Sequence, residues 1–157
     1  MWGGKSNQLV NPPSTILQPP GINPQLKKRK IMSTYFTLAG ADLIAAENLP
    51  AARVVTWDTG ELALAADETE VPVGITMDKA DEGDSLSVYA LGSGILVEST
   101  GAISQGALVM VADDGSGKVK AATGYSGMWT VGTAVRAAAG GFVRIILNPQ
   151  YHAVDAT

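Results

Sequence analysis

The chain has 157 residues, with 18 Gly, 22 Ala, one His, no Cys and a formal net charge of −4. The missing cysteines exclude a disulfide framework, a thiolate metal site and a Cys nucleophile, and the lone His152 excludes multi-His metal centres. The charge is divided: residues 1–31 carry Lys5, Lys27, Lys28, Arg29 and Lys30 and no acid, whereas the remainder carries six bases and all 15 acids, so a segment of +5 precedes one of −9.

Residues 1–31 also hold Pro12, Pro13, Pro19, Pro20 and Pro24. Each proline fixes φ and removes a backbone donor, so neither helix nor sheet runs through this stretch. The sequence predicts an extended arm over residues 1–32, able to reach about 100 Å at roughly 3.3 Å per residue. It has no apolar stretch of the kind a secretory signal needs. Met32 sits directly before the next pattern and is a second candidate start.

From residue 33 short apolar or alternating runs recur. They fall at 53–57, 61–64, 71–77, 85–91, 95–98, 108–111, 118–121, 129–132 and 142–147, with Gly- and Asp-rich turns between them. This is the pattern of an all-β protein, a small barrel or sandwich, expected over residues 33–150. The one helix candidate is 42–49, where Asp42 offers a cap and Pro50 a stop. Residues 151–157 read as a polar tail that includes His152. A weak internal two-fold repeat is visible. Val73-Gly74 recurs as Val131-Gly132, Ala80 as Ala138, and Gly60-Glu61-Leu62 resembles Gly117-Lys118-Val119, at offsets of 57 or 58.

Candidate chemistry is thin. Gly115-Ser116-Gly117-Lys118 resembles the end of a phosphate loop, but Ala112 and Val119 stand where the loop needs Gly and Ser/Thr. Asp78, Asp81, Glu82 and Asp84 surround Gly83 without the spacing of a calcium loop, and Asp67-Glu68-Glu70 read as solvated turn acids. Gly124-Tyr125-Ser126-Gly127 lacks the spacing of a nucleophile elbow. No catalytic role can be filled, so no enzymatic activity, metal or cofactor is expected. The Lys27–Lys30 run has no interleaved aromatics, and the acidic body repels phosphate, so a nucleic-acid partner is not expected. No apolar run is long enough to cross a bilayer, so no membrane partner is expected either. A basic strap on an acidic protein surface fits the run better. Trp2, at the tip of the arm, reads as a docking plug. Trp57 and Trp129 read as core or subunit-interface residues.

The body carries Ala39-Gly40-Ala41-Asp42-Leu43, Arg53-Val54-Val55, Val73-Gly74-Ile75, Gly83-Asp84-Ser85-Leu86-Ser87-Val88, residues 102–109 (AISQGALV), Val131-Gly132-Thr133-Ala134 and Gly141-Phe142-Val143-Arg144-Ile145. In this order they resemble the small capsid decoration, or cement, proteins of tailed bacteriophages, similar in role to the lambda head decoration protein. The resemblance spans roughly residues 34–148. It implies a homotrimeric all-β protein on the outer surface of the virion capsid, made in the host cytoplasm and bound to the major capsid protein, with no catalytic residues. Under it, Trp2, Lys5, Lys27, Lys28, Arg29 and Lys30 become capsid-binding candidates. The competing readings are a phage tail or fibre component and a carbohydrate-binding β module. Nine aromatic residues supply a sugar platform poorly.

Overall fold

A computed structural model describes residues 34–154. Nine strands occur among these residues: β1 (Tyr35–Ile44), β2 (Val54–Asp58), β3 (Glu61–Leu64), β4 (Gly74–Thr76), β5 (Ser85–Glu98), β6 (Leu108–Val111), β7 (Val119–Ala121), β8 (Met128–Ala134) and β9 (Phe142–His152). They form one antiparallel sheet in the order β3-β2-β4-β5-β9-β8-β6-β7, with β1 added to β5. The all-β expectation holds.

The strand order reads the same from both ends, and the hydrogen bonds say why. Val55 pairs with Gly74 as Val109 pairs with Gly132. Thr76 pairs with Val88 as Ala134 pairs with Ile145. Outside the strands, Ala46 N donates to Leu62 O as Thr100 N donates to Val119 O, and Ala52 N donates to Thr76 O as Gly106 N donates to Ala134 O. The two parallel bridges, Ala45–Leu62 and Ser99–Val119, match as well. The body is thus two copies of one unit, joined through the long strand β5. The repeat read from sequence is structural.

Two glycines make the repeat work. A Cβ on Gly74 would run into the carbonyl oxygen of Tyr89, and one on Gly132 into that of Ile146, so at both places only glycine lets the short strand lie against the long one. Apolar side chains then fill matched places. Leu49, Val55, Leu62, Leu86 and Val88 form a cluster in the first half. Their counterparts Ile103, Val109, Val119, Val143 and Ile145 lie within a larger cluster that also takes in Val54, Ala65 and Ile75 of the first half.

The structure corrects one element. Residues 42–49 are not helical: β1 runs to Ile44, Ala45 bridges Leu62 and Leu49 bridges Ala80. Ala45 and Leu49 are both buried, and their four-residue spacing mimics a helical face. Ala45 N instead donates to Asp84 O and Leu49 exchanges two bonds with Ala80. Those long-range pairs outcompete an eight-residue helix with a costly nucleus. Two predicted runs, 85–91 and 95–98, are one strand, β5, with a register shift between Ser93 and Ile95. His152, read as tail, closes β9 opposite Met128.

Candidate interaction surface

The capsid-binding candidates Trp2, Lys5, Lys27, Lys28, Arg29 and Lys30 lie outside the described residues. Trp57 is 51% exposed at the end of β2, opposite Leu62, so it is not a core residue. Trp129 is half-buried in β8. Its ring lies 5.4 Å from that of Tyr151, and its backbone N–H donates to Glu68 O. The two tryptophans are on separate strands in opposite halves.

The turn acids are held by local bonds. Asp114 Oδ1 accepts from Ser116 N at 3.0 Å and from Ser116 Oγ at 2.5 Å, and the hydroxyl bond leads in lowering its pKa. Gly115 N donates to Ala66 O and Gly117 N to Ala65 O, so the amides of the phosphate-loop look-alike are already committed. Asp67 Oδ1 accepts from both Thr69 N and Oγ1, again led by the hydroxyl, and its pKa falls. His152 Nε2 sits 3.0 Å from Thr130 Oγ1, and its ring lies 5.3 Å from that of Tyr125. Among the described residues no group of three or more His, Asp or Glu side chains is placed to hold a metal ion.

The ion pairs gather where the two halves meet. Glu98, the last residue of β5, binds Arg53 Nη2 of the first half at 2.5 Å and Lys118 Nζ of the second half at 3.0 Å. Burial pushes the Glu98 pKa up, but the Lys118 hydrogen bond and the charges of Arg53 and Lys118 outweigh it and bring the carboxyl below its usual range. Lys120 of the second half reaches Glu68 of the first at 3.3 Å, and Asp113 at 2.9 Å. Burial pushes its pKa down, and the hydrogen bonds to Asp113 and Glu68 more than reverse that.

Among the described residues, part of the outer face is left exposed. Along β9, Val143, Ile145 and Leu147 point into the core while Phe142, Arg144 and Ile146 point out. Leu91 and Leu96 of β5 are 48% and 41% exposed. Leu96 lies opposite Arg144, and Phe36 of β1 lies opposite Leu91. Sequence reasoning missed this face. The run 142–147 is apolar on both sides, which reads as a strand buried on both faces. Arg144, alternating with the buried Val143 and Ile145, was the available signal.

A β body that exposes an apolar face has the form of an assembly component. The family comparison agrees. The model of the phage cement protein family matches residues 38–148, and the chain belongs to that family of virion structural proteins. No curated protein matches the chain. Among solved structures, the fold is similar to the N base of head fibre gp8.5 of bacteriophage phi29, with a TM-score of 0.55 and 23% identity over 74% of this chain and 95% of that one.

Proposed function

We propose that this protein is a capsid decoration protein that binds the outer surface of the phage head as a homotrimer and stabilises contacts between major capsid protein subunits. Family membership over residues 38–148 carries this reading. The charge division supports it. The arm, residues 1–32, acts as a basic strap, with Lys5, Lys27, Lys28, Arg29 and Lys30 supplying registry on acidic capsid surface and Trp2 supplying an anchor. Three arms on three neighbouring subunits give avidity only on an assembled lattice, which confines binding to finished shell.

Deleting residues 1–31 tests the strap. Occupancy on purified capsids is expected to drop, and the remaining binding to depend less on salt. Unchanged occupancy would remove the strap from the proposal. A native mass of the capsid-released protein tests the trimer.

A further inference from the structure

We infer that copies of this chain join head to tail, the basic, apolar face of the second half of one copy seated on the acidic face of the first half of the next. The inference deepens the homo-oligomer reading above and rests on it only in requiring that copies meet.

The internal repeat pins the two faces residue by residue. Met77 N donates to Ser87 O at 3.1 Å as Val135 N donates to Arg144 O at 2.8 Å. Ala45 N donates to Asp84 O at 2.9 Å as Ser99 N donates to Gly141 O at 2.8 Å. Asp78 therefore occupies the place of Arg136, Ser85 that of Phe142 and Ser87 that of Arg144. Each trio lines a matching depression, of about 270 Å³ in the first half and about 230 Å³ in the second. The matched positions are Asp78, Ser85 and Ser87 in one half, where Lys79 also lines the depression and Asp81, Glu82 and Asp84 follow close in the chain, and Arg136, Phe142 and Arg144 in the other, where no acid lines it.

The difference extends across each half. Residues 45–91 carry ten acids and two bases, and residues 99–148 carry two acids and four bases. Of the second half's bases, Lys118 and Lys120 are held in ion pairs. Arg136 and Arg144 form no ion pair among the described residues and flank the depression floored by Leu96 and Phe142. Asp78, Asp81, Glu82 and Asp84 also form none there, with Lys79 the one base among them. Exposed arginines beside aromatic and aliphatic side chains, with charged carboxylates opposite, are what a protein interface uses.

The charges also choose the symmetry. A two-fold contact through the second-half face would set Arg136 and Arg144 against their own copies, and like-charge juxtaposition is costly. A contact between two different faces is heterologous and closes into a ring when the rotation allows. A single chain built from two pseudo-equivalent units of opposite charge supplies both halves of such a contact.

The chain has no cysteine, so paired thiols report the contact on a clean background. The full-length Asp78→Cys/Arg136→Cys variant, treated with a short bis-maleimide both free and bound to purified capsids, is expected to give a covalent ladder that stops at the ring size. Neither single-cysteine variant should cross-link. Arg136→Glu and Asp78→Arg should each weaken self-association about tenfold or more, and the combined charge exchange should restore it. Circular dichroism on each variant separates lost contact from lost fold. Absence of a ladder in both settings, or dimers from Arg136→Cys alone, overturns the inference. A ladder without capsid occupancy leaves the contact standing and removes the decoration reading. Occupancy without a ladder does the reverse.

Discussion

The two halves of the body share a backbone plan and differ in almost everything attached to its outside. Inside, the repeat keeps apolar identity at each matched place: Leu49 and Ile103, Val55 and Val109, Leu62 and Val119, Val88 and Ile145 are all buried. Outside, Asp78 stands for Arg136 and Ser85 for Phe142. Packing tolerates only apolar groups of about the right size, so the interior is held to one pattern in both halves. Solvent imposes no such demand, and the surface is free to diverge toward two separate contacts.

If the halves are packed alike, cutting matched positions should cost in proportion to what is removed. Ile145→Ala is expected to destabilise by about 4 kcal/mol and its counterpart Val88→Ala by about 2 kcal/mol, each leaving a cavity among buried apolar side chains. Urea unfolding checks both through the midpoint at unchanged slope. Equal losses would mean that the matched positions are packed differently, and a change of slope in one variant alone would mean that the halves unfold as separate units. Gly132→Ala and Gly74→Ala come next, at about 3 kcal/mol and slightly less, since each Cβ meets a backbone carbonyl that cannot move aside without breaking its own strand.

The same contrast explains how much of the molecule was legible beforehand. Strand positions such as 61–64 and 108–111 were readable because alternation and turn residues are local signals. The repeat was readable because Val73-Gly74 and Val131-Gly132 are fixed by close backbone approach, which leaves a mark in sequence. Residues 42–49 misled because their bonds go to Leu62, Ala80 and Asp84, distant in sequence, and nothing local announces them. The candidate surface was the least legible part. Leu96, Phe142 and Ile146 have the composition of core residues, and only the register of β5 against β9 turns them outward. The arm candidates were picked by composition alone, and the described residues begin after them.

The seam between the halves gives a smaller effect with a sign that can be checked. Glu98→Gln removes the charge that holds Arg53 and Lys118 and is expected to cost about 2 kcal/mol, between exposed and fully buried pairs. The folded-state pKa of Glu98 is lowered, so its contribution is complete above the ordinary glutamate value of about 4.3 and is lost as pH falls through the lower folded value. Wild type should therefore lose stability more steeply than Glu98→Gln as pH falls below about 4.3. Parallel curves would place the acid sensitivity elsewhere in the sheet.

The smallest expected effect is a gain. Ser99 occupies the place that Ala45 holds in the first half: each is buried, and each sits in a parallel bridge, to Val119 and Leu62 respectively. Ser99 Oγ is buried and has no hydrogen-bond partner among the described residues. Leaving a hydroxyl unpaired in the interior costs more than it returns, and the first half already demonstrates the repair. Ser99→Ala should raise stability by about 0.5–1 kcal/mol, read as a higher urea midpoint. The reciprocal Ala45→Ser should lower it by a similar amount or slightly more, because the surrounding cluster of Leu49, Leu62 and Leu86 offers the new hydroxyl only apolar neighbours. A loss from Ser99→Ala would mean that the hydroxyl has a partner in solution, and that the halves differ in their interior as well as on their surface.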